Sequence, residues 1–360
     1  LQRSYKSKKK DLEFYIYHHE KIDGRALWLY SQKQRSYIIT NDLAPLENTT
    51  KPFRKIHPLR DEPVYFNPSR NTRTLSPPPE YNPLATVQTD GYPGEIPVTD
   101  FEVAIFQNRW PGLINNMPEM ISEDSAYGRC EVIVYTPNPK GSLADLSISN
   151  INLLLHAISD RYKKIMNDNN ISYVLPFENR GDFVGTTLPH PHGQIYAFGD
   201  LPPNIERQMI NAKQKKFFIN LIKNLKPELI VSETEHTVTF CPEFSRYPFE
   251  TWILPKVHQS SPDEMSDIII NEISNAIKAQ VKFFDKVFNT PMPYVLWHAL
   301  AAKGYSKHWP YHIQFWPLQR GENKMKYLAS VEQITGLFLV DVMPSDAAKK
   351  IRDFHTQNEK

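Results

Sequence analysis

The chain has 360 residues, of which 40% are hydrophobic and 12% aromatic, enough for one large or two medium domains with real cores. A formal charge of +2 gives no general attraction to a polyanion, so no nucleic-acid partner is expected. No run of about 18 apolar residues is present to span a membrane, and two cysteines, Cys130 and Cys241, cannot make a disulfide framework, so a reducing cytoplasm is the simplest compartment.

The first ten residues, LQRSYKSKKK, are basic but lack the apolar stretch of a secretory signal. Residues 1–57 read as an N-terminal extension. Thirty prolines stand against thirteen glycines, and many of them fall within 43–118, as in SPPPEYNP and GYPGEIP. Interleaved Tyr, Phe and Trp argue for ordered loops and short extended pieces there rather than a disordered linker. CEVIVYTP (130–137) predicts a strand stopped by proline. The apolar spacing of 143–168 predicts a helix. ISYVLPFEN (171–179) and GQIYAFG (193–199) predict strands, and 203–225 one long amphipathic helix ending before Lys226-Pro227. HTVTFCPEF (236–244) and FETWILPK (249–256) predict strands, 263–288 a helix starting near Ser261 or Asp263, and YVLWHAL and YHIQFWPL two further strands.

The strand–strand–helix–strand–strand order of 101–199 thus returns over 236–318, with almost no identity between the copies. This predicts an α+β fold of two halves built on antiparallel sheets flanked by helices, or else two unrelated α+β domains in series. The halves are placed at 58–230 and 231–352, with 353–360 as a tail.

The sharpest local feature is Pro189-His190-Pro191-His192-Gly193-Gln194. On an extended segment His190, His192 and Gln194 share one side. A neutral imidazole is a competent nucleophile near neutral pH, and attack on phosphorus would split one transfer into two through a phosphoramidate. A glutamine amide in line can donate to a phosphate oxygen without competing as a base. Gly193 would let a ligand approach the backbone. Taken alone, His-x-His is equally a metal half-site or a surface pair.

FENRGDFVGTTLPHPHGQIYA (177–197) resembles the active-site signature of galactose-1-phosphate uridylyltransferases, a branch of the histidine-triad superfamily in which Gln replaces the third His. SETEHTVTFCPEFSRYPFETWILPKVH (232–258), the C-terminal WHAL and HWPYHIQFWPL (297–318) and TDFEVAIFQNRWPGL (99–113) resemble further family stretches, in order from about residue 58 to 352. The resemblance implies ping-pong transfer of UMP from a UDP-sugar to a sugar 1-phosphate, with His192 as nucleophile and Gln194 as the phosphate-orienting amide. It implies nucleotide contacts at Asp100, Phe101 and Asn179, phosphate contacts at Thr186 and Thr187, a phosphate-binding pair in Arg70 and Arg73, and hexose contacts at Lys326 and Glu332. It also implies a homodimer, because the arginine loop completes a neighbour's site in that family. Other readings are an adenylyl transferase or phosphorylase, and a non-catalytic nucleotide-sugar-binding paralogue.

The sequence departs from the family where metals bind. Asn82, Ala85 and Pro139 stand at three of the four structural zinc positions and only His190 matches, so no cofactor and no zinc are expected. At the second metal position His298 and His312 remain, but Gln314 replaces a third His and the Glu position falls at Gln208 or Glu206, which predicts hydrogen-bonded structural histidines. Near the hexose segment Val331 replaces a Tyr and Phe338 a Gln, which points to an acceptor other than galactose 1-phosphate.

Overall fold

The computed structural model describes residues 3–9, 12–46, 50–72, 81–87, 91–115, 124–288 and 290–358. Sixteen strands are found among them: β1 (Arg3–Lys9), β2 (Leu12–Glu20), β3 (Ala26–Ser31), β4 (Phe53–His57), β5 (Glu62–Phe66), β6 (Val103–Gln107), β7 (Gly128–Val134), β8 (Tyr173–Arg180), β9 (His192–Phe198), β10 (Ile230–Glu233), β11 (Thr237–Phe240), β12 (Thr251–Pro255), β13 (Tyr294–Ala299), β14 (His312–Pro317), β15 (Gln319–Gly321) and β16 (Lys324–Met325). The α-helices are α1 (Ile148–Met166), α2 (Pro203–Gln214), α3 (Phe217–Lys223), α4 (Asp267–Lys286), α5 (Ser330–Thr335) and α6 (Pro344–Asn358).

Twelve strands form one antiparallel sheet in the order β1-β2-β3-β6-β7-β9-β8-β13-β14-β12-β11-β10. The expected repeat is present: β6-β7-α1-β8-β9 is followed by β11-β12-α4-β13-β14. The two copies meet where β8 pairs with β13, with Val295 opposite Asn179. Helices α1 and α4 lie together on one face, and their apolar stripes close a core that runs through both halves, from Ile158 and Ile195 to Ile277 and Ile313.

Local chemistry sets the helix starts. The Ser147 hydroxyl accepts from the Asn150 amide at the start of α1, and Ser266 accepts from Ile269 at the start of α4. The second cap corrects the expected start near Ser261 or Asp263, where a short 3₁₀ turn over Pro262–Glu264 stands instead. The single helix expected over 203–225 is two. Lys216 takes a left-handed conformation, φ 47°, between α2 and α3, and the break brings Phe217 and Phe218 onto Trp252 and Trp309, with centroids 6.5 and 5.4 Å away.

Of residues 1–57, the described strands β1–β3 are part of this sheet. Strand β3 pairs with β6 from Leu27–Phe106 to Tyr30–Val103, so β1–β3 extend the first half. The boundary between halves also moves. Met209 and Phe218 pack with Phe240, Trp252 and Trp297 of the second half, so α2 and α3 belong with it rather than with the segment ending at 230.

Candidate active site

Strand β9 lies between β7 and β8, and its alternation sorts the motif. Gly193, Ile195 and Ala197 turn toward the helices and are buried, whereas His192, Gln194 and Tyr196 line the opposite face and are half-buried. Gly193 serves packing rather than ligand approach. A Cβ there would sit 2.3 Å from the Tyr135 hydroxyl and 2.7 Å from the Phe177 carbonyl, both belonging to the protein.

The His192 ring donates from Nδ1 to the His190 carbonyl at 2.7 Å. In the neutral ring this leaves the lone pair on Nε2, the atom a nucleophile needs. Gln194 sits between Val132 and Phe177 in register, and its amide makes no hydrogen bond among the described residues. The imidazole and the amide therefore share one accessible face, as the strand period requires.

His190 is buried at 1% exposure. Its Nε2 donates to the Thr136 carbonyl at 2.7 Å, and its Nδ1 lies 2.9 Å from the Asn82 amide nitrogen. Burial holds its pKa below the ordinary histidine value, and the nearby His192 adds to that. Both ring nitrogens are thus engaged by protein, and Asn82, Ala85 and Pro139 carry no thiolate or imidazole. These residues do not make a zinc donor set.

The second metal position fails on geometry. His298 stands opposite Ile313 and His312 opposite Ala299, so the two rings project to opposite faces of the sheet. His298 meets the Tyr311 hydroxyl at 2.8 Å on the helix side. His312 donates from Nδ1 to the Pro310 carbonyl at 2.9 Å and accepts at Nε2 from Gln314 at 2.9 Å, among Phe218, Trp252 and Trp309.

The other expected contacts divide. Asn179 and Thr186 are brought together beside the motif, the Thr186 hydroxyl donating to the Asn179 carbonyl at 2.6 Å, and Thr187 follows in the same half-buried loop. Lys326 and Glu332 pair at 3.0 Å. Asp100 is exposed and paired with Arg35. Phe101 departs from expectation: it is 1% exposed, packed with Leu84, Val98 and Val134, and has no ring face open to a base. Arg70 is exposed on a short 3₁₀ turn beside Gly112. Arg73 lies outside the described residues.

Two hollows flank these groups. One of about 440 Å³ is bounded by Asp100 together with Arg35, Tyr37 and Thr40. The segment that bears these three reads from sequence as an extension, and it follows β3, whose pairing with β6 carries it to Asp100. The other, of about 930 Å³, runs from Phe177 across the second half to Trp297, Trp316, Arg246 and Glu332. It joins the strand beside Gln194 to the segment that carries the expected hexose contact. Beneath the motif, on the helix side, Glu178 is buried against Tyr294, hydroxyl to carboxylate 3.3 Å, and burial pushes its carboxyl up to about 7.

Comparison with known proteins matches two family models, the N-terminal domain of galactose-1-phosphate uridyl transferase over residues 105–202 and its C-terminal domain over 209–360. The second model begins inside α2, at residue 209. The galactose-1-phosphate uridylyltransferase of Thermotoga maritima is 31% identical over 315 residues, covering 83% of this chain and 97% of its own. A uridylyltransferase of known structure superposes with a TM-score of 0.73 at 24% identity, over 86% of this chain and 100% of that one. An ADP-glucose phosphorylase from Arabidopsis thaliana, solved with bound ADP-glucose, shares the fold with a TM-score of 0.65 at 22% identity, over 84% of this chain and 99% of its own.

Proposed function

This chain belongs to the galactose-1-phosphate uridylyltransferase family, and from that premise we propose that it moves a UMP group from a UDP-sugar to a sugar 1-phosphate through a covalent nucleotidyl-His192. That it is a nucleotidyltransferase follows from the family; the covalent step, the base and the acceptor are the proposal.

The observation that carries the covalent step is the Nδ1–H bond from His192 to the His190 carbonyl. It aims a lone pair from Nε2 on the face that also bears Gln194. In the first half-reaction Nε2 bonds to the α-phosphorus while the bond to the bridging oxygen breaks, and the sugar 1-phosphate leaves with that electron pair. Gln194 donates its amide to a non-bridging oxygen as charge builds there. In the second half-reaction a phosphate oxygen of the acceptor attacks the same phosphorus and His192 leaves. No step needs a metal ion, and we take the enzyme to work without structural zinc, since the amide of Asn82 occupies the His190 ring nitrogen that a metal would require.

The acceptor side is read from the large hollow. Glu332, paired with Lys326, edges it, while Trp316, Phe338 and Arg246 stack at its wall, the guanidinium 4.7 Å from the Trp316 ring and 5.1 Å from Phe338. This wall supports an acceptor other than plain galactose 1-phosphate, because aromatic faces stand where hydroxyl partners are expected. No helix among the described residues is long and apolar enough to cross a membrane. Cys130 and Cys241 are buried free thiols, which fits a cytoplasmic enzyme.

The test is intact-mass spectrometry after mixing the protein with a panel of NDP-sugars. A UMP adduct with UDP-glucose, discharged by one sugar 1-phosphate, is expected. An AMP adduct from ADP-glucose instead would move the enzyme to adenylyl transfer. No adduct with any donor would defeat the covalent mechanism.

A further inference from the structure

We propose that Asn82 is a positioning residue for the transfer, acting through His190 on His192; the inference rests on the reading of His192 as nucleophile. The Asn82 side chain has one possible orientation. Its Oδ1 accepts from the Leu84 amide at 3.0 Å, so its NH₂ faces His190 Nδ1 at 2.9 Å and donates there. An imidazole nitrogen that accepts carries no proton, so the His190 proton is on Nε2. That atom lies 2.7 Å from the Thr136 carbonyl, an acceptor. Two contacts from separate segments thus select the same tautomer. The pinned ring fixes the His190 peptide, whose carbonyl receives the His192 Nδ1–H at 2.7 Å. His190 is thus held from both sides, its ring by Asn82 and Thr136 and its carbonyl by the His192 Nδ1–H.

The loop that presents Asn82 is itself anchored. The Glu95 amide donates to the Pro83 carbonyl at 2.9 Å, and Val87 donates to Val98 at 2.9 Å. Lys21, 2% exposed, donates to the Glu95 carbonyl at 2.9 Å and pairs with Asp42, and Arg25 meets the Glu95 carboxylate at 2.8 Å. A buried ionic cluster built from the turn after β2, with Asp42 and Glu95, thus holds the loop where Asn82 meets His190.

Two substitutions separate this role from loop folding. Asn82→Asp keeps the oxygen that accepts from Leu84 and so keeps the turn, but presents a second oxygen to Nδ1 instead of a donor. Asn82→Ala removes both. Imidazole ¹⁵N spectra of the purified full chain read the His190 and His192 tautomers, and single-turnover adduct formation reads the rate. The wild type should show His190 unprotonated at Nδ1. Both variants should lose about 10–100-fold in the rate of adduct formation, the usual cost of removing an outer hydrogen-bond partner. KM for the nucleotide sugar should move much less, and the His190 and His192 ring signals should both shift. Wild-type rate in Asn82→Asp with loss only in Asn82→Ala would reduce Asn82 to a turn residue and overturn the inference. So would a wild-type His190 protonated at Nδ1. If the wild type forms no adduct, the transfer reading falls, and the two ring signals in Asn82→Asp alone still decide whether Asn82 positions His192.

Discussion

His192 and Gln194 carry different burdens, and their replacement should separate them. His192→Ala removes the proposed nucleophile, so adduct formation should vanish while the thermal transition stays near that of the wild type, because the ring is half-buried at a strand end. Gln194→Ala keeps the nucleophile and removes one preorganised donor, so the adduct should still form, slower by roughly 10²–10³. Equal rates for Gln194→Ala and wild type in a rapid-quench assay would remove Gln194 from the mechanism. The pair was legible from sequence because period-two alternation alone puts both on one face. The roles of Gly193 and Phe101 were not legible. Gly193 answers to Tyr135, 58 positions earlier, and Phe101 answers to a core closed by β3 and the 81–87 loop. Neither long-range contact leaves a mark in the local pattern.

Each strand of the central pair carries a buried titratable group, and pH should expose them. The Glu178 carboxyl on β8 is pushed up to about 7 by burial, so the folded state prefers it protonated. Its contribution is complete below the ordinary carboxyl range near 4.5 and is lost as pH rises through 7. His312 on β14 is pushed down to about 4 and His298 on β13 to about 3, both by burial. Their contribution is present above 6.5 and is lost as pH falls toward those values. The groups oppose each other between 4.5 and 6.5, and above 6.5 Glu178 acts alone. The wild-type Tm should therefore fall from pH 6.5 to 8, by a stability change of about 1 kcal/mol or a little less. Glu178→Gln should flatten that limb and leave the acid limb in place. An identical alkaline slope in the variant would show that Glu178 does not titrate there. Sequence periodicity located these strands to within a few residues. It could not say that His298 and His312 face opposite ways, because that depends on the register of β13 against β14. Nor could it find the break at Lys216, which is set by where Phe217 and Phe218 find the tryptophans.

The sheet order β6-β7-β9-β8, then β13-β14-β12-β11, reads the same from either end once the copies are matched. The match reaches single atoms: His192-Gly193-Gln194 on β9 corresponds to His312-Ile313-Gln314 on β14, and in both the histidine Nδ1 meets the carbonyl two residues earlier. The second copy is closed to chemistry. Gln314 occupies the Nε2 lone pair of His312, and the rings of Phe218, Trp252, Trp297 and Trp309 surround it. On the proposed mechanism the first half carries the transfer and its twin supplies a wall of the hollow. That division leaves one surface unexplained within a single chain. Between β16 and α6, Tyr327, Ile334, Leu337, Leu339 and Met343 are each more than 60% exposed, on the segment that also bears Glu332. Exposed apolar rows are a usual place for a partner to dock, and the expected homodimer, which the resemblance ties to the arginine loop and not to this row, is the occupant to test. Sedimentation velocity at micromolar concentration should show a dimer. Leu337→Asp with Leu339→Asp should shift it to monomer, because two carboxylates would be stripped of water in an apolar contact. Transfer should fall with dissociation, while the monomer keeps its fold by circular dichroism. A wild-type chain that sediments as a monomer would leave the exposed row to some other partner.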